Sequence, residues 1–232
     1  MPGDIFRRAP KPNIKIFMKN IFFIRHGKLD LPYKDHSQMP ANLLNDLGKK
    51  TLDPNLDFDY ISKDLSEDLS KIIQLEKIEK IYVSPFRRCQ ETGRFIAEFI
   101  QKNYNQKIEI EVCEELREIY FELENILANK KSAGIFGLNS AVLEAIYNGE
   151  NAESMVKICE RLNSFFDFLF NCDTNTLVVS HDFLMRFIEL TILNKGKIQA
   201  SDISLIELLN TKRNIYLRGF FTDNDFSDIQ NF

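Results

Sequence analysis

Apolar residues in this chain gather in short blocks set between charged stretches and turn residues. The block Ile21-Phe22-Phe23-Ile24 has no polar alternation and stops at Arg25-His26-Gly27. A continuous apolar run of that length, bounded by glycine, predicts a strand buried on both faces, as central parallel strands are. Leu177-Val178-Val179, ahead of Ser180-His181-Asp182, repeats the design. Ile78 to Val83 supplies a third strand, broken by Ser84-Pro85. Lys107 to Cys113 alternates Ile108, Ile110 and Val112 with other residues, the period of a half-exposed strand.

Between these blocks the period becomes helical. Leu65, Leu69, Ile72 and Ile73 share one face of a predicted helix over 64–77. Phe95, Ile96, Phe99 and Ile100 do the same for a helix predicted to open at Ser84-Pro85, with Ser as N-cap and Pro at the first helical position. Met155, Ile158, Leu162, Phe165, Phe166 and Leu169 define an amphipathic helix within 152–170. Phe183 to Leu193 is apolar on nearly every side and predicts a buried helix ending near Gly196. Ile203 to Leu208 and Ile215 to Phe221 read as two late strands, paired through a turn at 209–214.

Less ordered patterns fill the rest. Residues 1–18 hold three of the seven prolines and read as an irregular extension, with Met18 as a candidate start of the native chain. Residues 28–60 predict loop with a short helix near Leu43 to Lys50, and 119–150 a partly helical insert. Residues 223–232 read as an acidic, mobile tail. Neither an internal repeat nor a low-complexity linker divides the chain, so 19–222 is expected to be one domain. Strands alternating with helices predict an α/β fold with a largely parallel sheet.

Bulk properties narrow the function classes. A 44% hydrophobic content supports a substantial core. The net charge of −4 gives no broad basic footprint, so nucleic acid is not an expected partner. No apolar run approaches the length of a membrane span, and the basic N-terminus, with Arg7, Arg8 and Lys11, lacks the apolar stretch of a signal peptide. Cys89, Cys113, Cys159 and Cys172 form no Cys-x-x-Cys pair, so neither zinc nor redox chemistry is indicated. Free thiols in a reducing cytoplasm are the plain expectation.

The candidate chemistry lies at strand ends, where open α/β sheets place their ligands. Of three histidines, His26 and His181 end apolar strands, whereas His36 falls in a polar loop. Arg25 beside His26, with Gly27 allowing close backbone approach, describes an anion site holding a nucleophile. Arg88 falls in the first turn of its predicted helix, where a cation needs solvent or an anion beside it. Lys28 and Lys34 can steer anions toward such a site.

In chain order the constellation is Arg25-His26-Gly27, Ser84-Pro85-x-x-Arg88, Leu116-x-Glu118 and Ser180-His181. It resembles the histidine phosphatase superfamily, also called the phosphoglycerate mutase-like family, from about Ile21 to Phe221. The resemblance implies a three-layer sandwich with a mostly parallel central sheet flanked by helices. It implies His26 as the phosphorylated nucleophile, Arg25 and Arg88 as phosphate ligands, and His181 as a second pocket histidine. Glu118 then matches the general acid, with Glu115 its neighbouring competitor, and Glu153-Ser154 ahead of Arg161 also fits the family. Leu29, Pro32 and Glu122 depart from the family's usual residues, and Leu29 and Pro32 imply a missing auxiliary phosphate contact. Asp182 stands where a glycine is usual, a second carboxylate at the rim and an alternative acid.

The expected activity is metal-independent hydrolysis of a phosphomonoester, with no cofactor, on a small phosphorylated metabolite or a phosphorylated protein. The alternatives are a cofactor-primed mutase and a non-catalytic phosphate-binding domain. Phosphoryl transfer needs an in-line nucleophile and dense positive charge around the equatorial oxygens. A neutral imidazole attacks phosphorus, and neighbouring arginines disfavour the imidazolium. Glu118 must carry a proton when the alkoxide leaves and act as base when water enters.

Overall fold

Side chains of the first strand divide between two cores, and the rest of the molecule is layered on that division. In the computed structural model β1 runs Lys19–Arg25, with Ile21 and Phe23 packed into one hydrophobic cluster and Phe22 and Ile24 into the other. All four are essentially inaccessible, which is why the run shows no polar alternation. The structure describes residues 19–33, 39–59, 62, 73–129, 137–211, 216–222 and 225–231. The predicted N-terminal extension, Lys34, His36, and residues 64–72 of the predicted helix lie outside the described residues.

Among the described residues the sheet has six strands in the order β3-β2-β4-β1-β5-β6. These are β2 Lys80–Val83, β3 Glu109–Val112, β4 Thr176–Ser180, β5 Tyr216–Thr222 and β6 Asp225–Asn231. The four strands from β3 to β1 are mutually parallel, and β5 and β6 complete the sheet antiparallel. Among the described residues seven α-helices with defined bounds accompany them: α1 Ala41–Gly48, α2 Arg87–Tyr104, α3 Leu123–Asn129, α4 Gly137–Asn148, α5 Met155–Phe170, α6 Asp182–Leu193 and α7 Leu205–Asn210. The architecture is the mostly parallel α/β sandwich the sequence predicts.

One face of the sheet carries α5 and α6. Phe23 stacks on Phe166 with ring centroids 5.7 Å apart and planes 10° from parallel. Burying a side chain of this size contributes about 1.5–3 kcal/mol, so the end of β1 is anchored firmly. The other face carries α2, which approaches β2 closely because Gly93 has no side chain. A Cβ there would meet Val83 Cγ1 at 2.6 Å. That approach brings the first turns of α2 to the carboxyl ends of β1 and β4.

Three sequence expectations are corrected. The helix expected at Ser84 starts at Arg87, with Phe86 as N-cap and no side-chain cap, because the Ser84 hydroxyl is engaged by a histidine described below. The stretch 203–208, expected as a strand, contains α7. Ser204 Oγ accepts from the Glu207 N–H at 3.2 Å while Glu207 Oε2 accepts from the Ser204 N–H at 2.8 Å, a capping box that starts a helix. Among the described residues β5 pairs instead with β1 and β6. Residues 225–231, read as tail, form β6, since ladder hydrogen bonds to β5 depend on a neighbour rather than on local composition. Over 64–77, only a 3-10 turn at Leu75–Lys77 falls within the described residues.

Candidate active site

β1, β4 and β2 end side by side, and their last residues carry the site. Arg25 pairs in register with Ser180, and the His26 N–H continues the ladder to the Ser180 carbonyl at 2.9 Å. His26 and His181 therefore emerge together, ring centroids 5.2 Å apart and planes inclined by 63°. The turn after β1 is tied to α2: the Gly27 N–H donates to Thr92 Oγ1 at 3.0 Å, and that hydroxyl donates to the Arg88 carbonyl at 2.7 Å.

Hydrogen bonding assigns the proton on each imidazole. His26 Nδ1 lies 2.8 Å from the Gly27 carbonyl oxygen. A carbonyl only accepts, so Nδ1 carries the proton and the ring lone pair belongs to Nε2. His181 has the reverse surroundings at Nδ1. The Arg88 guanidinium donates to that nitrogen, from Nη2 at 3.1 Å and Nε at 3.3 Å. His181 Nε2 then donates to Ser84 Oγ at 2.7 Å. Burial first, then Arg88, His26, Lys50 and Arg25, hold His181 well below the ordinary histidine range, so it is neutral. Arg88 is also paired with Asp53, Nη1 to Oδ1 at 2.8 Å, and its guanidinium lies 4.7 Å from the Phe86 ring centroid.

Glu118 sits on the opposite wall with 8% of its surface exposed. Its Oε1 accepts from the Ile119 N–H at 2.9 Å and from the Leu184 N–H, in the first turn of α6, at 3.2 Å. That fixes the carboxyl and leaves Oε2 as the oxygen without those backbone bonds. The loop before it is braced by Glu153, which accepts from Arg117 at 3.0 Å and from Arg161 at 3.0 and 3.2 Å, while Arg161 also donates to the Glu115 carbonyl. Asp182 Oδ1 lies 3.7 Å from Arg25 Nη1.

Arg25, His26, Arg88, Glu118 and Asp182 all line one open cleft. His181 is fully buried behind Arg88, off the cleft wall. Lys28 is half-exposed and pairs with Asp57 at 2.9 Å outside the cleft. Leu29 lines the cleft, whereas Pro32 is exposed. Among the described residues no group of three or more His, Cys, Asp or Glu side chains is arranged to hold a metal ion.

Sequence reasoning misses three contributors. Ser84 has the signal of a helix cap and serves His181 instead. Asp53 and Lys50 carry no local signal, since each reaches the site through tertiary packing. Lys50 follows α1, whose end lies against the chain at Phe121, where the Phe121 N–H donates to the Gly48 carbonyl at 3.2 Å. A Cβ on Gly48 would lie 2.7 Å from the Phe121 carbonyl oxygen, a backbone atom that cannot swing aside. Gly48→Ala is expected to destabilise the protein by about 1–3 kcal/mol, the usual penalty of overpacking, read as a lowered Tm.

His26, Arg25 and Arg88 meet in one cleft at the carboxyl edge of a mostly parallel sheet. Compared with known families, residues 21–217 match the histidine phosphatase superfamily (branch 1), and the chain belongs to it. No curated protein matches. Among solved structures, the alpha-ribazole phosphatase of Shigella flexneri is similar at 14% identity with a TM-score of 0.59, over 92% of this chain and 96% of that one. A mutant phosphoserine phosphatase of Entamoeba histolytica, in complex with phosphoserine, is similar at 16% identity with a TM-score of 0.51, over 91% and 96% of the two chains. At these identities the likeness establishes the shared fold. No helix among the described residues is long and apolar enough to cross a membrane.

Proposed function

We propose that the protein is a metal-independent phosphomonoesterase that works through a phosphohistidine at His26. The observation that carries this reading is the 2.8 Å contact of His26 Nδ1 with the Gly27 carbonyl, which leaves the Nε2 lone pair to attack, in a cleft shared with Arg25 and Arg88. Nε2 attacks phosphorus, the bond from phosphorus to the alcohol oxygen breaks, and Glu118 delivers its proton to that oxygen. Water then attacks the phosphohistidine, Glu118 takes the proton, the phosphorus–nitrogen bond breaks, and inorganic phosphate leaves. The two guanidiniums hold the equatorial oxygens throughout.

His181 takes a positioning role in this reading. It accepts from Arg88 and is itself fixed by Ser84, so it sets the guanidinium's direction. The substrate is a small phosphorylated molecule, and the cellular setting is a reducing cytoplasm, in keeping with four free cysteines. The test is to quench a turnover mixture in alkali and map the phosphoryl group by peptide mass spectrometry. Label on the His26 peptide, stable in alkali and lost in acid, is the expected result; label elsewhere overturns the reading.

A further inference from the structure

The cleft continues past the arginines into a wall of Leu44, Leu47, Leu123 and Val142, and that apolar wall contains one ammonium group, Lys50. Lys50 sits just beyond the end of α1 in the left-handed region (φ 62°). Its Nζ lies 4.8 Å from the Phe121 ring centroid, and among the described residues it makes no hydrogen bond or ion pair. An ammonium has three donors, and a ring face satisfies none of them in the manner of an anion.

The lining around Lys50 indicates which end of the substrate it faces. Lys50 shares the cleft with Glu118, the group assigned to the leaving oxygen, and with the apolar wall beyond the arginines, so it stands on the side of the leaving alcohol. The phosphate end already has two guanidiniums. Burial pulls the Lys50 ammonium down to about 8, which leaves it mainly charged at pH 7.

Resting on the phosphatase reading above, we propose that Lys50 determines specificity by binding a second anionic group, a carboxylate, on the leaving alcohol. The preferred substrates are then phosphomonoesters of a largely apolar alcohol bearing an acid function. A flexible point charge suits a small carboxylate, and an apolar wall suits the body that carries it.

The test compares phenyl phosphate with 3- and 4-carboxyphenyl phosphate, which differ in reach. The quantity read is the ratio of kcat/KM for the better carboxylated isomer to that for phenyl phosphate. Wild type is expected to show a ratio of about ten or more, the usual size of a charge-assisted hydrogen bond's contribution. Lys50→Met should bring the ratio near one, and Lys50→Arg should retain part of it. Lys50→Gly, which accepts the left-handed backbone without strain, should lose the ratio while remaining folded. In wild type the ratio should fall as pH rises through about 8, where the amine loses its charge.

A wild-type ratio near one, or one that Lys50→Met leaves unchanged, overturns the proposal. The phosphatase reading is separated by calorimetric binding of the same three compounds to His26→Ala, with and without Lys50→Met. If wild type hydrolyses none of them, a carboxylate preference in binding that disappears with Lys50 still upholds the inference. No such preference overturns it.

Discussion

His26→Ala is expected to lower the kcat of p-nitrophenyl phosphate hydrolysis by about 10,000-fold or more, the size of loss seen when a covalent nucleophile is removed. Wild-type activity should be the same with and without EDTA. The magnitude follows from what stays behind. Arg25 and Arg88 still bind phosphate in the variant, but water would have to attack directly, without the positioned Nε2. KM should therefore change far less than kcat. The fold should survive, because His26 is held mainly through its backbone N–H, which donates to Ser180, and its neighbour Gly27, which donates to Thr92. Turnover that persists in folded His26→Ala would place the nucleophile elsewhere. A His26→Asn variant controls for the lost ring volume.

Why so much of this site is legible in the sequence comes down to burial on both faces. Ile21 to Ile24 and Leu177 to Val179 are apolar at every position because both sheet faces are covered, so the strands and their ends stand out. The residues at those ends, Arg25, His26 and His181, follow from chain continuity alone. Arg88 is found for a partly mistaken reason. Ser84-Pro85 marks the entry to α2, yet the Ser84 hydroxyl bonds His181 and the helix begins at Arg87. The capping signal that does operate, Ser204 with Glu207, is masked by Ile203, Leu205, Ile206 and Leu208, whose apolar density resembles a strand.

What the sequence hides is set by contacts between distant parts of the chain. Nothing local at Gly48-Lys49-Lys50 distinguishes it from an ordinary helix end. The close approach of Gly48 to Phe121 is a contact between distant segments, and Lys50 beside it lines the cleft. Nor does the sequence show that His181, equivalent to His26 in strand position, is withdrawn from the cleft. That difference arises because Arg88 reaches His181 Nδ1 from α2, while His26 Nδ1 is bound by the carbonyl of its own neighbour. Two similar strand ends thus acquire two different surroundings, one Nδ1 on a backbone carbonyl and the other on a guanidinium.

The role of Glu118 gives the second large effect. Glu118→Gln is expected to reduce kcat/KM for an alkyl phosphate such as glycerol 2-phosphate by about 100- to 10,000-fold, the usual contribution of a positioned general acid. For p-nitrophenyl phosphate the loss should be much smaller, since nitrophenolate leaves without a proton. The difference between the substrates isolates proton delivery from any shared effect on binding or folding. The amide keeps the carbonyl-type oxygen that accepts from the Ile119 and Leu184 N–H groups, so the side chain stays in place. Equal losses on both substrates would remove Glu118 from the acid role and direct attention to Asp182, the other carboxyl on the cleft. Asp182→Asn is expected to act differently. Its carboxylate faces Arg25 at 3.7 Å, so its removal should alter phosphate affinity for both substrates alike. A preferential loss on the alkyl substrate in Asp182→Asn, with none in Glu118→Gln, would transfer the proton to Asp182.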